Sequence, residues 1–228
     1  MRELIWLGAF AFLAATAIAD DKPTTAEATL IAEIEKLDGK AKILTELDES
    51  ARVMATFEKG SDELMAKLAK KPGLGAIDVR DAGKITDKGW LALRDLPKLQ
   101  RLLLSRGTFT ANDATAIAKL KSLTTLSIGG CKSTEGAVGW LKNAKSLKVL
   151  DVMDSKIGDK TLDHLLSLAD LEELNLSGTN VTDAALAKIV AHEKLKHVQL
   201  NNTKVTRAGL DKIEEGLKAS GRKLKIEW

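Results

Sequence analysis

The side chains best suited to covalent or metal chemistry are few in this chain. Cys131 is the only cysteine among 228 residues, so no internal disulfide can form, and it is a candidate nucleophile or redox thiol. A thiolate nucleophile needs an activating base, and no histidine falls at a matching position near it in sequence. His164, His192 and His197 are not spaced as metal ligands. The sequence therefore predicts no catalytic residue, no metal site and no cofactor.

Motifs for phosphate binding and glycosylation are weak. The segment SIGGCKST, residues 127–134, has adjacent glycines and a Lys-Ser pair but lacks the spacing of a phosphate-binding loop. Asn175, Asn180 and Asn201 each begin an Asn-x-Ser/Thr sequence, which matters only in a cell that glycosylates such sites. Neither motif predicts a function.

The elements that carry these residues follow from a change of hydrophobic period. In LEELNLSGTNVTDAALAKIV, residues 171–190, Leu174 and Leu176 alternate with polar residues as in a strand. Leu186 and Ile189 then follow helical spacing, and Thr182 is a favoured residue type where a helix begins. Such a strand–turn–helix unit is too small to bury its own apolar side.

The same unit recurs at a period of 24 residues. Copies begin at Leu99, Leu123, Leu147, Leu171 and Leu195, and looser copies lie around residues 51–68 and from Leu74, while a last strand is predicted at residues 223–226. Cys131 aligns with small or hydrogen-bonding residues in the other copies, which favours a buried structural role over a reactive one; the aligned residues are Gly107, Ser155, Thr179 and Thr203.

The spacing Leu-x-x-Leu-x-Leu-x-x-(Thr/Ser/Cys)-x-(Val/Ile)-(Thr/Gly)-Asp resembles the leucine-rich repeat family, and its L-S-G-T-x-V-T-D form resembles the repeats of secreted bacterial proteins. The resemblance implies an α/β fold: a curved right-handed solenoid with parallel strands on the concave face and short helices on the convex face. It also implies a protein-binding scaffold rather than an enzyme.

The N-terminal residues stand apart from the repeats. Arg2, an apolar run from Leu4 to Ala19 and the small-x-small triplet Ala17-Ile18-Ala19 form a secretory signal pattern. The alternative, a membrane anchor, is disfavoured because the run is short for a spanning helix. We therefore expect residues 1–19 to be a cleaved signal peptide and the protein to be secreted or periplasmic, with no stable membrane span afterwards.

Three regions follow: the signal peptide at 1–19, a helical cap at 20–50 and a repeat domain at 51–228 with about six to seven repeats of about 24 residues. In the cap, Leu30, Ile34 and Leu37 share one helical face, and Gly39 suits the left-handed turn after the helix.

Residues 41–44 could add an edge strand. Trp90 is expected in the core, and Trp140 is expected on the convex or loop side.

The alternation of residues along each strand predicts which side chains face outward on the concave face. The tentative protein-binding residues are Asp78, Arg80, Arg101, Leu103, Val149, Asp151, Met153, Glu173, Asn175, His197 and Gln199. Ala76 also falls on this face. Exposed apolar residues in its middle would form a contact patch, although single exposed apolar side chains are also ordinary.

Composition fits a soluble repeat domain, with 29% charged, 44% hydrophobic and 4% aromatic residues. The net charge of +3 is small and the basic residues are interleaved with acidic ones, which argues against nucleic acid. The main hypothesis is a secreted or periplasmic, monomeric, non-enzymatic scaffold whose partner is another protein or an envelope component. Alternatives are a structural cell-envelope protein or the substrate-reading subunit of an enzyme complex.

Overall fold

The computed structural model describes residues 22–228, so the signal peptide predicted at 1–19 lies outside the described residues. Within these described residues, one open sheet of nine strands has the order β1-β2-β3-β4-β6-β8-β9-β10-β11, and β5 and β7 form a small second sheet. The strands are β1 Lys40–Ile43, β2 Val53–Phe57, β3 Leu74–Val79, β4 Arg101–Leu104, β5 Thr108–Phe109, β6 Thr125–Ser127, β7 Lys132–Ser133, β8 Val149–Asp151, β9 Glu173–Asn175, β10 His197–Gln199 and β11 Lys225–Glu227.

The α-helices are distributed along the described chain: the first precedes β1, and the others follow β2 and connect strands on the side opposite the concave surface. They are α1 Thr25–Glu35, α2 Asp62–Leu68, α3 Asp87–Leu93, α4 Ala111–Ile117, α5 Glu135–Gly139, α6 Asp159–Leu165, α7 Leu186–Ala191 and α8 Arg207–Ser220, with 3-10 turns at Glu49–Ala51, Trp140–Asn143 and Asp183–Ala185. Strand–helix–strand connections make neighbouring strands parallel. Only β1 pairs antiparallel, with β2, at the N-terminal edge of the described sheet.

The repeat period sets the strand register. Residues 24 apart lie side by side, so that Arg101, Thr125, Val149, Glu173 and His197 form one row across five strands. Strand β11 continues this row with Lys225. The predicted strand at 223–226 is therefore displaced, because pairing with β10 selects residues 225–227 instead.

Threonine is the N-cap of five of the eight α-helices in the described residues, and threonine caps also join one repeat to the next. Thr182 accepts a hydrogen bond from the Ala184 amide as predicted for a helix start. Its own amide and hydroxyl donate to Asp159 of the preceding repeat over 2.9 and 2.7 Å. The same pair of bonds joins Thr206 to Asp183, and they lower the pKa of the Asp183 carboxyl.

The cap helix α1 lies against the first strands, with Leu30 and Ile34 buried. The left-handed residue after it is Asp38, at φ 59°, rather than the predicted Gly39. Gly39 is needed for a different reason, because a Cβ there would lie 2.5 Å from the Phe57 ring.

A continuous apolar core lies between the sheet and the helices and includes one or more leucines from every repeat. Trp90 is 2% exposed and makes an edge-to-face contact with Phe109 at 5.3 Å between ring centroids, which confirms its predicted core position. Trp140 is 50% exposed, as predicted for the convex or loop side.

Candidate functional site: the concave face

A loop of the chain itself covers the N-terminal part of the concave face. Residues 44–52, which we call the covering loop, connect β1 to β2. Leu44 and Leu47 of this loop are 7% and 9% exposed and form a second apolar cluster with Met54 and Ala76, against which Leu103 packs. Ala76, assigned to the concave face from its alternation, does lie on that side but is fully buried. The covered area is closed to solvent at this end.

Polar contacts fit the covering loop to the strands beneath it. Glu46 forms an ion pair with Arg101 at 3.2 Å, which leaves the Arg101 side chain only 12% exposed. The Asp48 amide donates to the Gln100 side chain over 3.1 Å. A Cβ on Gly75 would lie 1.7 Å from the Ala51 carbonyl oxygen, so the close approach of the two backbones requires glycine there.

The centre of the concave face is a buried polar network. Asp151 is 3% exposed; it accepts hydrogen bonds from the Ser127 hydroxyl at 2.7 Å and from the Met153 amide at 3.0 Å. Burial raises the pKa of this carboxyl. A Cβ on Gly129 would lie 2.7 Å from Asp151 Oδ2, so the missing side chain makes room for the carboxylate.

Asn175 extends the same network but is also buried, at 7% exposure. Its Oδ1 accepts from the Ser177 amide at 3.0 Å, and its Nδ2 lies 3.9 Å from the Met153 sulfur. Asp151 and Asn175 therefore face the concave side while their polar atoms are used within the protein. Their assignment as binding residues stays a prediction.

The half-buried concave side chains form the open part of the surface, which we call the open strip: Val149, Met153, Glu173, His197 and Gln199. Glu227 on β11 fixes its C-terminal end, since its carboxylate lies 3.2 Å from His197 Nε2 and accepts from Gln199 Nε2 at 2.9 Å. Hydrogen bonds from Lys225 and Gln199 lower the pKa of Glu227 to about 2. The strip presents apolar, amide, imidazole and carboxylate groups side by side.

Asp78 lies on β3 beside Leu103 of β4, and Arg80 lies just beyond β3. Arg80 is exposed and pairs with Glu58 at 2.8 Å. Asp78 is partly buried, and desolvation raises the pKa of its carboxyl. The assignment of these two residues to the binding surface stays a prediction.

Cys131 occupies the structural position predicted for it. Its side chain is 4% exposed and the thiol donates to the Leu104 carbonyl at 3.5 Å, while Thr179 and Thr203 at the same repeat position donate to the Leu176 and Leu200 carbonyls. Desolvation by burial raises the pKa of the thiol to about 11. A thiol held in its protonated form is a poor nucleophile.

Two further properties concern metal and membrane contact. Within residues 22–228, no three His, Cys, Asp or Glu side chains gather closely enough to hold a metal ion. No helix in that range is both long enough and apolar enough to cross a membrane.

Sequence alternation alone missed the covering loop and Glu227. Leu44 and Leu47 were assigned to the cap and to a possible edge strand, with no sign that they fold back over the sheet. Their spacing of three was the available signal, because two apolar side chains in an otherwise polar loop must find a surface to cover.

Comparison with known proteins agrees with this geometry. Residues 143–162 and 167–190 match a family model described as Leucine Rich repeat. The structure resembles the crystal structure of an internalin (inlF) from Listeria monocytogenes with a TM-score of 0.58 and 21% identity, over 76% of this chain and 46% of the internalin. An internalin C2 (inlC2) of the same organism has a TM-score of 0.49 and 18% identity, over 69% of this chain and 75% of that one. No curated protein matches the chain.

Proposed function

We propose that this chain, a leucine-rich repeat protein, is an exported, non-enzymatic scaffold that holds another protein or an envelope component against the open strip of its concave face. The observation that carries the proposal is the arrangement of that strip. Its side chains project from parallel strands with a fixed register, beside a covering loop that closes the N-terminal end. Rigid presentation of this kind lowers the ordering cost of binding.

Three of the five residues of the open strip are held in place before any partner arrives. Glu227 contacts both His197 and Gln199, and Asp151 supports the turn that carries Met153. Val149 and Met153 supply apolar contact area between polar neighbours. Recognition then depends on shape and on a few fixed polar groups, as is usual for a non-obligate interface.

The open strip is too small to form a stable protein interface alone. Four strands, β8 to β11, lie about 4.8 Å apart and span about 14 Å; with outward residues covering about 10 Å of each strand, the area is about 140 Å². A stable interface takes about 800 Å² from each partner. The partner must therefore also contact the turns beside the strip, where Asp154 and Asn202 are exposed and held at φ 59° and 57°.

Export is part of the proposal and rests on the N-terminal sequence. Arg2, the apolar run to Ala19 and the small-residue triplet support cleavage after residue 19. N-terminal sequencing or intact-mass measurement of the protein from its own cells tests this: a chain that begins at Asp20 supports export, and a chain that keeps residues 1–19 contradicts cleavage.

The binding surface is tested by crosslinking capture from the exterior fraction of the source cells. The bait is the protein as those cells process it, compared with a Val149→Glu/Met153→Glu variant of the open strip. A Leu91→Glu/Ala187→Glu variant adds the same charge at exposed convex positions and serves as the matched control.

A partner retained by the native protein and the convex variant but lost by the strip variant supports the proposal. Equal retention by all three places the binding site elsewhere. Thermal unfolding of each variant must show that it is folded before the comparison is made. Reaction of the captured partner, detected as a change in its mass during incubation with the bait, would contradict the non-enzymatic role.

A further inference from the structure

The positive charge of the protein is concentrated in the middle repeats. Residues 96–150 contain nine Lys and Arg against two Asp and Glu, a net charge of +7, whereas the whole chain carries +3. One of the two acids, Asp113, is buried at 1% exposure. The interleaving of charge predicted from overall composition is therefore wrong for this region.

Six of these cations lie in the turns that lead from a helix back into the next strand. Lys98 precedes β4, Lys119 and Lys121 precede β6, and Lys142, Lys145 and Lys148 precede β8. Because these strands are parallel and adjacent, the three turns meet at one edge of the sheet. We call the six lysines the basic edge.

Hydrogen bonds between the turns show that they are in contact. The Ser122 hydroxyl donates to the Pro97 carbonyl over 2.7 Å, which brings the residues next to Lys98 and Lys121 together. Ser146 Oγ likewise lies 3.3 Å from the Leu120 carbonyl oxygen. Like charges placed this close repel one another, so the cluster has a cost that an anionic partner would remove.

The cations of the basic edge form no close ion pair within the described residues, although the charges of Lys98 and Lys148 help to lower the pKa values of Asp48 and Asp170. None of the six forms an ion pair with a carboxylate in residues 22–228, and five of them are exposed, with Lys142 half-buried. Lys121 and Lys145 make only long contacts to backbone carbonyls, at 3.3 and 3.5 Å. The bordering carboxylates Asp170 and Glu172 pair with Lys194 and Lys196 instead.

An exposed indole adjoins the same edge. Trp140 is 50% exposed and lines a shallow pocket with Lys142, His164 and Glu135, whose carboxylate accepts a hydrogen bond from the Gly158 amide. Gly136 and Gly139 leave this pocket open because they carry no side chain. An indole beside a lysine suits the headgroup region of a membrane, where the ring enters the interface and the cation meets phosphates.

We propose that the basic edge is a peripheral docking surface for an anionic phospholipid membrane, which would orient the solenoid with its concave face free. The cations are lysines, point charges that suit a field of mobile headgroups, whereas bidentate recognition of fixed phosphates favours arginine. A single exposed aromatic residue gives no series of stacking platforms for a single-stranded nucleic acid. This proposal does not depend on the open strip.

The test is binding to vesicles made of equal parts phosphatidylglycerol and phosphatidylcholine, measured by sedimentation with the protein as its cells process it. A Lys98→Gln/Lys121→Gln/Lys145→Gln variant is the perturbation. A Lys84→Gln/Lys156→Gln/Lys204→Gln variant is the matched control, since it removes equal charge from exposed lysines in the strand-to-helix turns at the opposite edge.

Each lysine near an anionic membrane surface strengthens binding about fivefold, so the edge variant should bind about a hundredfold more weakly than the native protein. The control variant should lose no more than about fivefold, and raising the salt concentration should weaken native binding. Native protein should show a vesicle-induced change in tryptophan emission that Trp140→Phe removes.

Equal loss in both lysine variants, or no vesicle binding at low salt, would overturn the proposal. Binding of a soluble polyphosphate without vesicle binding would overturn the choice of a lipid surface. Loss of vesicle binding with partner capture intact separates this edge from the open strip.

Discussion

Shortening Leu47 to alanine should loosen the covering loop from the concave face. Leu47 is 9% exposed and belongs to the small cluster with Leu44, Met54 and Ala76, separate from the main core. The loop is also held by the Glu46–Arg101 ion pair, by the hydrogen bond from Asp48 and by the ion pair of Arg52 with Glu27. The leucines supply its apolar contact with the strands beneath it.

The magnitude follows from the size of the deletion. Leucine-to-alanine changes at buried sites cost about 2 to 5 kcal/mol, and the low end applies where the site can collapse, as at the edge of a small cluster. We expect Leu47→Ala to lower the free energy of unfolding by about 2 kcal/mol. The exposed Leu91→Ala change should stay within about 0.5 kcal/mol.

A double-mutant cycle with Leu103 tests whether the loop covers the strands. Leu103 packs against the cluster, 56 positions further along the chain than Leu47. After Leu47→Ala has loosened the loop, Leu103→Ala should cost less than it does alone, by about 1 kcal/mol. Equilibrium urea unfolding of the native protein, both single variants and the double variant gives this coupling.

Additive costs for Leu47 and Leu103, within about 0.5 kcal/mol, would refute the loop placement. The control cycle pairs Leu47→Ala with Leu91→Ala and should be additive, because Leu91 lies on the convex side. Coupling of equal size in both cycles would point to a change in the unfolded state rather than to contact across the concave face.

Three further predictions concern single side chains. Burial raises the pKa of the Asp151 carboxyl above its usual 3.8, so ionisation of this group opposes folding. The Asp151→Asn variant should therefore gain stability relative to the native protein as pH rises above about 4, and the gain should level off once the folded-state pKa is passed. Urea unfolding across a range of pH measures this difference. Gly178 has φ +70° and its added Cβ would lie 2.1 Å from Asp154 Oδ1, so Gly178→Ala should cost about 1–2 kcal/mol in thermal unfolding for the left-handed backbone alone. Cys131 should resist thiol reagents in the folded protein at pH 8 and react on unfolding, since its side chain is 4% exposed and its pKa is about 11.

Each of these has an outcome that contradicts it. A stability difference for Asp151→Asn that is independent of pH would mean that the carboxyl is not desolvated. Gly178→Ala at no cost would place that residue outside the left-handed region. Labelling of Cys131 at the rate of a free thiol would show that the turn beside it opens readily.

The strands and helices could be predicted because each repeat contains the residues that specify them. The strand leucines, the Thr182 helix start and the buried positions of Trp90 and Cys131 all follow from a pattern that recurs every 24 residues. Repetition averages out the ambiguity of any single short segment. The last strand was displaced because it lies outside the regular spacing, 28 residues after its partner rather than 24.

The candidate site was only partly predictable, because alternation gives the direction of a side chain but not what covers it. Arg101 and Leu103 do project to the concave side, yet Glu46 and the apolar cluster occupy them. Asp151 and Asn175 also project there and are buried by neighbouring strands and turns. No local pattern records such contacts between distant segments.

The sequence by itself determined the repeat, its strand register and the capping of its helices, since all of these depend on residues close together in the chain. Tertiary structure decided which parts of the concave face are open to solvent and which lysines come together at the basic edge. Lysines 23 or 24 residues apart form one edge only when the turns stack, and Leu47 reaches the Leu103 region only when the loop folds back. Both depend on packing between segments, which the pattern within one repeat does not encode.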